Sequence, residues 1–131
     1  MKYILMMHGR KADWEAYAKW SKEDLERNVG FMRTFSKELK DAGVFVDTKG
    51  LVWPQEAKTV RAGSDGTPVT DGVFPESKEF LAGYWVVDVE STEEAYRIAA
   101  RVSGMPGPGG EPGNIPIEVR QVLGSHGDLG M

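Results

Sequence analysis

Two side chains in this sequence are placed to move a proton. His8 closes the apolar run Tyr3-Ile4-Leu5-Met6-Met7. An imidazole titrates near neutrality, which suits proton transfer, and strand ends are where functional side chains gather. Asp71 stands before Gly72, and a carboxylate held by a tight turn can act as a base or anchor a ligand. Each has a plainer reading beside it. His8 can be a half-buried surface histidine, and Asp71 can be the first residue of an Asx turn, bonding its own backbone.

Around these two stand groups that could bind rather than react. Glu76, Lys78 and Glu79 put three charges within four residues, enough to line a pocket mouth or to form a solvated loop. Trp14, Tyr17, Trp20, Trp53, Phe74, Tyr84 and Trp85 are many large rings for a chain of 131 residues. They read either as pocket walls or as core and interface. Tyr84 and Trp85 are strand neighbours and must point to opposite faces. The ligand-binding candidates are Trp14, Gly72, Phe74, Glu76, Lys78 and Tyr84; the catalytic ones are His8 and Asp71.

Other chemistries find no support. The chain has no cysteine, so disulfides and thiolate chemistry are excluded. His8 and His126 are far apart and lack metal-ligand spacing, so no metal and no other cofactor is expected. The glycine-rich stretches 63–66 and 107–113 do not link a strand to a helix as a phosphate loop does. Sixteen basic against 20 acidic residues give a net charge of −4, the wrong sign for nucleic acid. The first apolar run is too short for a secretory signal, and no stretch nears the roughly 20 apolar residues that span a bilayer. A cytoplasmic protein without membrane contact is the expectation.

The elements that must carry these residues can be read in order. Residues 2–7 make a buried strand, and 8–20 a short helix or ordered loop. Ser21 with Asp24 opens a long helix whose apolar face is Leu25, Val29, Met32, Phe35 and Leu39, stopped by Gly43. A strand at 44–46 follows, with loop to Pro54. A hairpin at 58–70 turns on Gly63-Ser64-Asp65-Gly66, and the strongest strand signal covers 80–89. Ser91 with Glu94 opens a second helix, which buries Ala95, Ile98, Ala99 and Val102 and ends at Gly104. Residues 105–114 are irregular, 115–123 form a last strand, and 124–131 read as a flexible tail after a single domain of residues 1–123. Without the hairpin the order is βαββαβ, the α+β ferredoxin-like arrangement. Two helices cover one sheet face only. A second copy of the chain is the simplest cover for the other, which makes a homodimer built as a dimeric α/β barrel.

The segment Thr70-Asp71-Gly72-Val73-Phe74-Pro75-Glu76-Ser77-Lys78-Glu79 resembles the Asp-Gly-Pro-Phe signature of the YCII-related, or DGPF-domain, family. Gly83-Tyr84 before an apolar strand ending at Asp88, the opening Met1-Lys2-Tyr3, Ala42-Gly43 and Gly50-Leu51 fit as well, so the resemblance runs to about residue 122. It implies a ferredoxin-like fold and a dimer with a cleft near the sheet face, without naming a reaction. Val73 departs from the family's proline. In one branch of the family a histidine and an aspartate on the long helix are suspected as an acid–base pair. Asp41 matches the acid, but the histidine position falls near Met32, so that pair does not carry over.

Two functions of different class follow. One is a cofactor-independent small-molecule enzyme of isomerase or lyase type, with His8, Asp71, Phe74 and Tyr84 lining a cleft between sheet and helices and His8 or Asp71 moving the proton. The other is a dimer that holds a small ligand without turnover, in a binding or regulatory role. A third reading makes the aromatics pure interface.

Overall fold

In the computed structural model, residues 1–70 and 78–124 are described. Their order is β1 (Lys2–Gly9), α1 (Lys11–Ala18), α2 (Lys22–Asp41), β2 (Phe45–Gly50), β3 (Val60–Ala62), β4 (Pro68–Thr70), β5 (Phe80–Asp88), α3 (Thr92–Ser103) and β6 (Ile117–Gln121), with 3₁₀ turns at Pro54–Glu56 and Pro108–Gly110. The fold is α+β. Four strands form one sheet in the order β2-β5-β1-β6, and β3 and β4 form a separate two-stranded ribbon. Every pairing in the main sheet is antiparallel, and β1 lies between β5 and β6. Among the described residues the sheet is open, with β2 and β6 as its edges.

Strand alternation divides the sheet's side chains between two faces. Tyr3 and Leu5 of β1, and Trp85 and Val87 of β5, are buried beneath Phe35 and Leu39 of α2 and Ala95, Ala99 and Val102 of α3. Leu5, Val87 and Val102 are wholly enclosed, each contributing about 1.5–3 kcal/mol of transfer free energy. Phe35 meets Trp85 edge to face, with centroids 5.3 Å apart. The Trp85 indole N–H donates to Ser36 Oγ at 3.3 Å, so the one polar atom of the buried ring has a partner.

The long helices begin and end on local signals. Ser21 Oγ accepts from the Asp24 amide and Ser91 Oγ from the Glu94 amide, both at 3.1 Å. Gly43 takes a φ of 74°, which lets the Val44 amide turn back to the Leu39 carbonyl at 3.1 Å. Residues 8–20 resolve into the end of β1 and the helix α1, the short helix of the two readings, so that among the described residues three helices accompany the sheet. Strand β2 runs on to Gly50, well past Val46. Its charged residues Asp47 and Lys49 lack strand propensity, but the free edge of β5 supplies the ladder that orders them.

Candidate functional site

The face of the sheet turned away from α2 and α3 carries the residues with chemistry. Register places Ile4, Met6 and His8 of β1 on it, with Leu81, Tyr84 and Val86 of β5. Glu118 and Arg120 of β6 lie across from Met6 and Ile4, and Asp47 and Lys49 of β2 across from Val86 and Tyr84. The middle of this open face is an apolar strip, Ile4, Met6, Tyr84 and Val86, all partly buried, and charged residues rim it.

His8 Nε2 and Glu118 Oε1 are 3.0 Å apart, a hydrogen bond between neighbouring strands. The His8 side chain keeps 30% of its surface exposed and that of Glu118 47%, so a small molecule can reach both. A carboxylate on one ring nitrogen fixes the tautomer and leaves the other nitrogen to work. At the β2 edge, Lys49 Nζ donates to Asp47 at 2.8 Å, and the Tyr84 hydroxyl approaches the same carboxylate at 3.5 Å. The Lys49 bond, with smaller help from Thr48 and Tyr84, holds the Asp47 carboxyl below its ordinary value; the same contact raises the Lys49 ammonium.

The sequence reading put His8 and Tyr84 in a cleft between sheet and helices. Register puts both on the opposite face, because His8 is one residue out of phase with Met7, which packs against the core, and Tyr84 with the buried Trp85. Trp85 alone of that adjacent pair enters the core. Trp14 is elsewhere again. It packs on Trp53 at 4.9 Å, on Tyr17 at 5.9 Å and on Phe80 at 6.1 Å, and Tyr17 continues to Trp20 at 4.8 Å. Phe80 pairs with Gly9, so this aromatic group closes the His8 end of the sheet from the helix side. His8 and Trp14 are therefore brought to one end of the sheet but to different faces. Lys78 is exposed two residues before Phe80. Asp71, Gly72, Phe74 and Glu76 lie outside the described residues, as does His126.

Two residues the sequence did not single out take part. Glu118 sits 110 positions from His8, a partnership that only strand register creates. Asn28 is buried, accepts from the Tyr17 hydroxyl at 3.3 Å and donates to the Pro106 carbonyl at 3.0 Å. It ties α1 and the 105–113 loop to α2. Burial raises the Tyr17 phenol above its ordinary value.

Two surface grooves accompany α2. One, about 380 Å³, is lined by Val29, Met32, Arg33, Ser36, Lys37 and Lys40. The other, about 280 Å³, runs between α2 and α3 over Phe35 and Leu39. None of the candidate residues lines either. Among the described residues, no three of His, Asp or Glu converge as metal ligands, and no helix is long and apolar enough to cross a membrane.

The model of the YCII-related domain family matches residues 1–105. An uncharacterized protein of Rhizobium meliloti (strain 1021) is 33% identical over 91 residues, covering 70% of this chain and 73% of its own length.

Proposed function

Since the chain belongs to the YCII-related domain family, we propose that it acts as a homodimer of single ferredoxin-like domains, residues 1–123, joined as a dimeric α/β barrel, in which the open sheet face forms a small-molecule site and His8 transfers a proton without a cofactor. The strand order, with the hairpin set aside, supports the fold. One observation carries the chemistry: the His8–Glu118 bond at a strand end, with both side chains partly open to solvent. Glu118 holds the ring and stabilises the imidazolium after proton capture. The apolar strip beside it seats the carbon skeleton, and Tyr84, tied to Asp47, offers a hydroxyl to a carbonyl or carboxyl oxygen. Asp71 is the second proton carrier, with Gly72, Phe74, Glu76 and Lys78 of its segment as ligand contacts. That segment leads into Phe80, the strand neighbour of Leu81, which pairs with His8. The reaction class is proton abstraction next to a carbonyl, giving isomerisation or elimination, in a cytoplasmic protein.

The test is exchange. The protein is incubated in D₂O with a panel of small keto acids and ketones, and C–H loss is followed by NMR. Wild type should accelerate exchange for at least one compound, and His8→Gln should lose about 10²–10⁴-fold of that rate. Asp71→Asn, which keeps any Asx turn but removes the base, should also slow it, while the melting temperature holds. Equal rates in wild type and His8→Gln would overturn the role of His8.

A ligand holder without turnover is the second reading, and the Trp14–Trp53–Phe80 group favours it: a cluster of ring faces suits a planar apolar ligand. Saturable quenching of tryptophan emission, with no exchange on any compound, selects this reading.

A further inference from the structure

The open sheet face is charged unevenly along its length. Register runs one row across it from Arg120 through Ile4 and Val86 to Asp47, and the next from Glu118 through Met6 and Tyr84 to Lys49. In the row beyond Arg120, Lys2 stands opposite Asp88. The carboxylates among the described residues of this face are all engaged. Glu118 meets His8 at 3.0 Å, Asp47 meets Lys49 at 2.8 Å, and Asp88 meets the N-terminal ammonium at 3.0 Å. Two cations are left over. Lys2 and Arg120 are exposed, and among the described residues neither makes a hydrogen bond or an ion pair. The acid closest to Arg120 along β6 is Glu118, two positions back on the same face, and His8 takes it. One end of the face thus holds a proton acceptor beside a carboxylate, the other holds positive charge in excess, and the partly buried Ile4 and Met6 lie between.

We infer that the ligand of this face is an organic anion whose carboxylate is bound by Arg120, with Lys2 adding its charge, and that Arg120 selects acids whose carboxylate stands several carbons from the reacting C–H bond. The inference rests on the proton-transfer reading above and goes beyond it in naming the substrate class and the residue that selects it. A guanidinium offers a planar fork of donors that matches a carboxylate, and it is charged at every working pH. The spacing follows from register. The Glu118 row, which holds the His8 ring, and the Arg120 row are two strand positions apart, about 7 Å. The backbone of His8 is four positions from Ile4, the residue opposite Arg120, roughly 13 Å. An acid whose ketone adjoins its carboxylate is too short to meet both groups. A longer chain lies over Ile4 and Met6, with its ketone at the His8 end.

The probes are the oxooctanoate with its ketone next to the terminal methyl group, the methyl ester of that acid, and pyruvate. Each is titrated into wild type and Arg120→Gln in D₂O. The half-saturation of C–H exchange and the amide shifts of residues 117–121 are followed by NMR. In wild type the long acid should half-saturate at a concentration lower by about tenfold or more than its ester or pyruvate. The gap between acid and ester should close in Arg120→Gln, and Arg120→Lys, which keeps the charge without the fork, should keep part of it. Equal half-saturation of acid and ester in wild type, or a gap that survives in Arg120→Gln, overturns the anion anchor and leaves the proton site standing. Pyruvate as effective as the long acid overturns the selection by length. If no probe exchanges, yet the long acid shifts the β6 amides in wild type and not in Arg120→Gln, the anchor stands and the proton transfer falls. No exchange and no shift with any probe overturns both.

Discussion

At the scale of the residue, the least replaceable polar group described is Asn28. Replacing it by Ala leaves the Tyr17 hydroxyl and the Pro106 carbonyl without their partner. The expected loss is about 1–3 kcal/mol in urea unfolding, and Asn28→Leu should do no better because the two orphaned groups remain. Asp24 makes a different prediction. The Gly109 amide holds its carboxyl below the ordinary range, with the Ser21 hydroxyl and Arg27 adding to this and desolvation opposing it. A depressed carboxylate stabilises the fold above its unfolded value, and that stability is lost as pH falls through its folded value. The urea midpoint of wild type should therefore drop faster below pH 4 than that of Asp24→Asn, and the two should run parallel near neutrality. Neither role was visible in the string of letters. Asn28 stands three residues after Leu25 and four before Met32, on the apolar face of α2, but that spacing does not name the Tyr17 hydroxyl and Pro106 carbonyl it serves. Asp24 was legible as half of a capping box, but its carboxylate serves a loop 85 residues away.

At the scale of the element, caps were legible and lengths were not. Ser21, Gly43 and Ser91 act within one turn of themselves, so their signals survive in the sequence. Ser91→Ala should cost about 1 kcal/mol, seen as a lower melting temperature with no change in fold. By contrast, the extra length of β2 comes from β5, and the His8–Glu118 contact comes from the register of β1 on β6. Helix α1 shows the same dependence. It has eight residues and none is buried, too little to persist as an isolated helix. The contacts of Trp14 with Trp53 and Phe80 and the bond from Tyr17 to Asn28 hold it. Trp14→Ala should release α1 while α2 and α3 stay formed. Hydrogen exchange should then speed up at residues 11–18 well beyond any change in the amides of β1 and β5. Uniform acceleration across the chain would show that Trp14 supports the whole core instead.

At the scale of the molecule, the order β2-β5-β1-β6 sets a timetable. Strand β1 is made first, yet both its neighbours come from the second half of the chain: Leu5 lies between Trp85 and Val119. No hairpin can nucleate the centre of the sheet, because its two middle strands are joined by some seventy residues of other structure. During synthesis the run Tyr3 to Met7 therefore waits without a ladder while α1, α2 and the ribbon emerge. Ordering so distant a pair before any of it is rewarded slows folding, and an unpaired apolar strand is a template for aggregation. The charged rim of the open face acquires a second meaning in this light. Lys2 and His8 bracket the waiting strand, and the charge of Lys2 and the solvation of both polar side chains hinder nascent copies from pairing β1 with β1 before β5 arrives to claim it.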